Sequence, residues 1–276
     1  MKTEISNEEF DKFREFLESR CGIFLQPNKK YLVQSRLEKL LKEFKVNSYL
    51  ELLELSKKDE ESGLLEAIID NMTTNETLWF RDRHPFVILK ELLLPIFTND
   101  EKSDKIRIWS SAASTGQEPY SIAMMILDFC RQNRTFSPSQ FEILATDISD
   151  SALATARKGF YDQFNISRGL EENHLLRHFS KDEDGWKVKD ELTKLIRFQK
   201  FNLQKPFSDH GKFDVIFCRN VMIYFSPELK KELMRKFNFA LKKPGYLFLG
   251  ATETILGLTN SFESIIHNRG AVYKKK

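Results

Sequence analysis

The chain has 276 residues, of which 41% are apolar and 30% charged, with 43 basic against 40 acidic side chains and a formal charge of +3. That length fits two modest domains, and that apolar content can build real cores, which excludes bulk disorder. The near-balance of charge argues against a dedicated nucleic-acid binder, which carries a much larger basic excess, so the Lys274-Lys275-Lys276 tail reads as a solvated end.

The opening MKTEISNEEF is acidic and lacks the apolar run of a signal peptide. Ser6 and Glu9 form a capping-box pattern, and Phe10, Phe13 and Leu17 follow at helical spacing up to a stop at Gly22. A second helix is predicted from near Asn28, with Val33, Leu37, Leu40, Leu41 and Phe44 as its apolar stripe. Ser48 and Glu51 cap a third, and Leu64, Leu65, Ile68 and Ile69 belong to a fourth. The apolar stretch from Phe86 to Phe97 is broken by Lys90, Glu91 and Pro95, so it falls short of the roughly 18 apolar residues a membrane span needs. Beyond residue 100 the pattern changes. Short apolar runs at 106–112, 141–149, 213–221 and 246–253 read as strands, separated by helical patterns such as Ser114 to Phe129 and Leu229 to Leu241. Strands alternating with helices imply a mostly parallel sheet covered on both faces. Lys181 to Leu195 is highly charged around an Asp184-Gly185 turn and reads as a small inserted hairpin, and Asn268-Arg269-Gly270 turns a closing hairpin.

In such a sheet, ligands bind at the carboxyl ends of the strands. The first strand runs into the small residues Ser110 to Gly116, where backbone can approach a ligand, and the second ends in Asp147, placed to accept from ribose hydroxyls or equally to cap a helix. A single glycine at 116 and the absence of GxxxxGK[ST] exclude a dinucleotide fingerprint and a phosphate loop. The three cysteines at 21, 130 and 218 are scattered, which implies no disulfide framework, no zinc site and a reducing compartment. Cys218, in an apolar strand, reads as core. His174 and His178 are spaced i, i+4, but no third ligand is evident in the neighbouring sequence, so no metal is expected.

Four segments together resemble the chemotaxis receptor methyltransferases of the CheR family. They are Asn75-Glu-Thr-Leu-Trp-Phe-Arg81, the run from Arg107 to Ala123, Ala145-Thr-Asp-Ile-Ser149, and Phe213 to Phe225, with Gly250 to Glu253 following in the expected place. The resemblance covers nearly the whole chain. It implies an all-α N-terminal domain (1–75) for receptor recognition, a linker helix region (76–97), and a Rossmann-like α/β methyltransferase domain (98–276) dependent on S-adenosylmethionine, with a small inserted β-hairpin subdomain at about 178–200. The implied reaction is methyl transfer from S-adenosylmethionine to glutamate side chains of chemoreceptors, giving methyl esters and S-adenosylhomocysteine. By resemblance, Asn75, Thr77, Arg81, Glu118, Asp147, Asn202, Leu203, Asn220 and Val221 bind the cofactor. Within that set Arg81 takes the methionine carboxylate, Glu118 faces the positive methionine portion, Asp147 the ribose, and Asn202 and Leu203 the adenine. Arg81 and Tyr224 are the expected catalytic residues, Tyr224 helping to place the acceptor. Trp79 and Phe80 read as interdomain packing, with a cation–π contact to the sulfonium as the alternative. Departures from the family pattern are Trp79 for phenylalanine, Ala113 for a frequent cysteine, Gln117 for an acid, and Ala251-Thr252 for His-Ser.

On the receptor side, residues 1–75 carry 12 basic and 15 acidic side chains, yet Lys29, Lys30, Arg36, Lys39, Lys42 and Lys45 cluster on one helix. Arg36, Lys39 and Lys42 are the expected dock for the cytoplasmic helical domain of methyl-accepting receptors; the plainer reading is a solvated helix face. The short 180–195 stretch lacks the longer glycine-containing loop of peptide-tethered members, so independence from a C-terminal receptor peptide is expected. The expected protein is cytoplasmic and monomeric, meets the membrane only through its receptor and binds no nucleic acid. Two rivals stay open: a nucleic-acid methyltransferase, disfavoured because Asn220-Val221-Met222-Ile223-Tyr224 lacks the prolines of the amino-methylating enzymes, and a non-catalytic S-adenosylmethionine-binding regulatory module.

Overall fold

The computed structural model describes residues 4–58, 63–98 and 105–276. The first three residues of the expected helical domain and the stretch just after 98, expected to open the catalytic domain, lie outside them. Helix α1 (Asn7–Cys21) starts on a capping box. Ser6 Oγ accepts from the Glu9 N–H at 3.1 Å, and Glu9 accepts from the Ser6 N–H at 2.8 Å. It stops at Gly22, whose φ of 76° is the left-handed conformation that ends helices. Helix α2 (Lys30–Glu43) buries Val33, Leu37, Leu40 and Leu41. Helices α3 (Tyr49–Lys58) and α4 (Leu64–Met72) close the bundle, with Ser48 Oγ accepting from the Glu51 N–H. The core holds Phe13, Leu17, Leu37, Tyr49, Leu52, Leu64 and Ile68, each fully or almost fully buried.

After the 73–83 linker, α5 (His84–Ile88) runs through a π turn (Leu89–Leu93) into α6 (Leu94–Thr98). The wide turn ends two residues before Pro95, which has no N–H to continue an α ladder. No helix among the described residues is long and apolar enough to cross a membrane.

The second unit is built on β1 (Ile106–Ser110), α7 (Gln117–Gln132), β2 (Phe141–Asp147) and α8 (Asp150–Lys158). An insertion follows: β3 (Phe160–Tyr161), α9 (Gln163–Ser167), α10 (Glu172–His178), β4 (Phe179–Asp182), β5 (Gly185–Val188) and α11 (Asp190–Thr193). Then come β6 (Ile196–Lys200), β7 (Phe213–Cys218), α12 (Pro227–Ala240), β8 (Leu241–Leu249), β9 (Phe262–His267) and β10 (Gly270–Lys275). The large sheet has the order β6-β2-β1-β7-β8-β10-β9, and the pairings among β6, β2, β1, β7 and β8 are parallel. The β9–β10 hairpin adds the antiparallel edge. Alternation along the strands feeds two cores: Ile108, Val215, Phe217 and Phe248 face one side, Trp109, Ile216, Cys218 and Leu247 the other.

Two boundaries differ from expectation. The small sheet, β3-β5-β4, contains the expected hairpin but begins at Phe160, while β6 pairs with β2 in the large sheet. Residues 196–200 therefore leave the insertion placed at about 178–200. Strand β8 starts at Leu241, five residues before the apolar run, because its first residues pair with β7 across an irregular register.

Candidate active site

The chain moves from β1 outward to β2 and β6, then returns to β7 on the other side of β1. That reversal opens a crevice beyond the carboxyl ends of β1 and β7. The helical bundle covers it. Gly22 lies at the contact: a Cβ there would lie 2.6 Å from Leu229 Cδ2 of α12, so a larger residue would have to push that side chain aside as well as hold φ at 76°. Around it Phe24 N–H donates to Tyr224 O at 2.8 Å, Asn202 Nδ2 to Arg20 O at 2.7 Å, and Gln204 Nε2 to Glu18 O at 2.8 Å.

The result is one cleft between bundle and sheet. Asn75, Thr77, Arg81, Glu118, Asp147, Asn202, Leu203, Asn220, Val221 and Tyr224 all line it. Its bundle side is made by Cys21, Ile23, Leu25, Leu32 and Met72, a covering that the periodicity of the first helices does not reveal.

Asp147 ends β2 and is buried. Its two oxygens accept from the backbone N–H groups of Ser114 (2.7 Å) and Ser149 (3.0 Å). Burial pushes its carboxyl upward, against the pull of those N–H groups. The helix-cap reading of this residue is corrected: Ser149 is the N-cap of α8, its Oγ accepting from the Ala152 N–H at 3.1 Å, while Asp147 holds the turn after β1 and lines the cleft. That turn bends through Ser114 at φ 49° and Gly116 at φ 99°. Gly116 itself does not line the cleft: a Cβ there would meet Tyr161 Oη at 2.8 Å and Ala156 at 3.0 Å, so it packs closely on α8. Asn75 ties the linker to this corner, accepting from Ser114 Oγ at 2.8 Å and donating to Ser149 Oγ at 3.3 Å.

Glu118 sits in the first turn of α7, where the helix dipole favours an anion. Its carboxylate is already partnered. One oxygen accepts from Ser110 Oγ (2.8 Å), the other from Arg219 Nη1 (2.8 Å). Arg219, 1% exposed at its side chain, also donates to Asp82 (2.8 Å) and to the carbonyl of Arg81 (2.6 Å), and lies over the Phe86 ring. Its Nε is buried with no protein partner. Arg81 donates from Nη1 to Glu76 O at 3.2 Å. Sequence reasoning missed Arg219, although it stands next to Asn220 in a quoted segment: a charged residue directly after the apolar run Val215–Cys218 is the signal. Glu253 was missed as well. It accepts from the N–H groups of Asn220, Val221 and Gly250 at 2.8, 3.1 and 2.7 Å, and holds Asn220 at φ 57°.

The aromatic alternative fails. Trp79 is wholly buried against Tyr161 and Phe179 and donates to Asn165 O, while Phe80 stacks on His174; neither lines the cleft. Their packing is onto the insertion. Burial drives the Cys218 thiol well up, which keeps it protonated and inert.

Of the three expected docking cations, Arg36 turns inward. It donates to Met72 O (2.6 Å), Thr73 O (3.3 Å) and Thr74 Oγ1 (2.9 Å), and lines the cleft. Lys39 and Lys42 are exposed, Lys42 lying 3.2 Å from Glu38.

The donor set fits a nucleoside bearing an amino-acid arm. A buried carboxylate ends β2, apolar walls come from Ile148, Phe201 and Leu203, and an arginine nitrogen lacks a partner at the other end. Comparison with known proteins agrees. Residues 75–271 match the family model described as "CheR methyltransferase, SAM binding domain", and residues 8–73 the one described as "CheR methyltransferase, all-alpha domain". The chain is 43% identical to the chemotaxis protein methyltransferase Cher2 of Pseudomonas putida over 271 residues, covering 98% of both chains. It is 45% identical to chemotaxis protein methyltransferase 1 of Vibrio cholerae, covering 99% of this chain and 98% of that one. It is 34% identical to the chemotaxis protein methyltransferase of Escherichia coli, covering 94% and 88%.

Proposed function

The chain belongs to the CheR methyltransferase family, and from that premise we propose that it methylates glutamate side chains in the cytoplasmic helical domain of chemoreceptors, in the cytoplasm. The convergence of Asn75, Arg81, Asp147, Asn202, Asn220 and Tyr224 on one cleft is the observation that carries this reading. S-adenosylmethionine, when bound, supplies a methyl group activated on a sulfonium. Asp147 would hold the ribose, Asn202 and Leu203 the adenine, and Arg81 the methionine carboxylate, with Arg219 Nε close by in the same wall.

Glu118 takes a revised role. Its charge is balanced by Arg219, so it anchors the methionine end through its remaining lone pairs and does not stand as a free anion. Tyr224 and the Asn220–Val221 turn, fixed by Glu253, would orient the incoming carboxylate in line. A glutamate with a pKa of ~4.3 is ionised at neutral pH, so its oxygen is already the nucleophile and no proton has to move. The O–CH3 bond forms as the S–CH3 bond breaks, and opposite charges cancel. Positioning and exclusion of water therefore account for the catalysis, and the chain needs no acid–base dyad. Lys39 and Lys42 would steer the acidic receptor helices, independently of a C-terminal peptide tether.

The test is transfer of labelled methyl from S-adenosylmethionine to receptor signalling fragments, followed by mild alkali. Label released as methanol is the expected result, with a rate flat above about pH 6 because the acceptor is already ionised. Alkali-stable label would overturn the ester chemistry.

A further inference from the structure

A second cluster lies outside the cleft lining. His174 and His178 lie one turn apart on α10, their rings 6.0 Å apart and nearly parallel. The third ligand that the neighbouring sequence did not offer comes from another element: Asp128, on α7. One ring nitrogen from each histidine and a carboxylate oxygen of Asp128 lie within 4.8 Å of one another.

Three features mark this cluster as more than a polar contact. First, His174 Nδ1 and His178 Nε2 are both buried and have no hydrogen-bond partner. Buried polar atoms in native folds nearly always find one, so two orphans pointing at one spot call for an occupant. Second, the spacings leave room for a small cation between the ring nitrogens and the carboxylate. His174 Nδ1 is 3.6 Å from Asp128 Oδ2 and His178 Nε2 is 3.5 Å from Oδ1, beyond good hydrogen bonds. A tetrahedral zinc with legs of ~2.0–2.1 Å has ligand-to-ligand edges of about 3.3–3.4 Å. Third, the outer contacts fix the ligand atoms. His178 Nδ1 lies 3.2 Å from Glu191 Oε1 on α11, and a proton held there would leave the Nε2 lone pair turned inward. Phe80 stacks on the His174 ring at 4.8 Å and sets its plane. Arg177 and Arg131 both approach Asp128 from the Oδ1 side, at 2.7 and 3.4 Å, and Oδ2 faces His174.

We propose that Asp128, His174 and His178 form a zinc-class transition-metal site that clamps α10 of the insertion onto α7. The fourth position would hold water. None of the three residues lines the cleft, and the clamp reaches the linker through Phe80, next to Arg81. The site is structural and takes no part in methyl transfer.

The experiment uses the full chain, stripped by chelator and titrated with Zn2+ and separately with Co2+ as a spectroscopic probe. One equivalent is expected, with the intense visible absorption of four-coordinate Co2+ and a Tm raised by Zn2+. His174→Gln should abolish both responses. Glu191→Gln should weaken affinity about 10-fold or more. Because His178→Gln alters a fully buried residue and could unfold the chain, the wild type supplies the decisive readout. In histidine NMR spectra, Zn2+ should move the His174 and His178 ring signals and leave His84, His210 and His267 in place. Absence of saturable binding, binding unchanged in His174→Gln, or shifts confined to the other three histidines would each overturn the proposal.

Discussion

The inner wall of the cleft and the outer face of α2 both carry charge, and they treat it in opposite ways. In the wall, Glu118, Arg219 and Asp82 form a chain of short contacts in which the Arg219 side chain is 1% exposed. On α2, Lys42 is 74% exposed and meets Glu38 at 3.2 Å, a pair that solvent largely screens. The first arrangement fixes geometry, because removing Arg219 strands Glu118 away from water. The second fixes nothing; it contributes a field that a partner can feel before contact. The two regions should therefore fail differently when altered, one in stability and cofactor affinity, the other in encounter rate.

The largest effect is expected from Arg219→Leu. It leaves Glu118 buried and unpaired, and breaking a buried pair costs about 3–5 kcal/mol. Urea unfolding should show that loss. The double variant Arg219→Leu with Glu118→Leu should recover a good part of it, since no charge is then stranded. Equal loss in single and double variants would mean that the guanidinium acts by shape alone. Next is Asp147→Asn. It keeps the volume, removes the charge that two backbone N–H groups and the ribose would share, and should weaken S-adenosylmethionine binding by about 10- to 100-fold, ~1.4–2.7 kcal/mol. Calorimetric titration checks this, and the maximal rate at saturating cofactor should change far less than the affinity.

The same contrast explains what could be read in the sequence. The stripe Val33, Leu37, Leu40 and Leu41 and the capping box at Ser6 are local, with partners three or four residues away, so spacing exposes them. Asp147 is legible because its place at the end of an apolar strand already says where it points. Arg219 is not, because its partners Asp82 and Glu118 come from the linker and from α7, and no spacing within one segment brings them together. The insertion was misplaced for a related reason. Strand β3 is two residues long and pairs with Lys187 and Trp186 far downstream, and β6, Ile196–Lys200, alternates apolar and polar residues at the edge of the large sheet and so reads as a continuation of the hairpin before it. Asp128 escaped as a partner for His174 and His178 because α7 and α10 lie far apart in the chain.

Arg36 gives the sharpest division between the two regions, because it shares a helix with Lys39 and Lys42 but not their exposure. Its guanidinium caps the carbonyls of Met72 and Thr73 at the start of the linker and lines the cleft, so it belongs with the wall. Arg36→Glu should place a carboxylate against those carbonyls, lower stability by about 1–3 kcal/mol and weaken cofactor binding. Lys39→Glu with Lys42→Glu should leave stability and cofactor affinity unchanged. It should slow receptor methylation several-fold at low salt, a deficit that vanishes as salt shortens the Debye length from about 30 Å at 0.01 M to about 8 Å at 0.15 M. Measuring methylation rate against ionic strength for the two sets separates them. A salt-dependent defect in Arg36→Glu with normal cofactor affinity would put Arg36 back on the docking face. A salt-independent defect in the lysine pair would mean that those side chains touch the receptor in the bound complex, acting by contact and not by field.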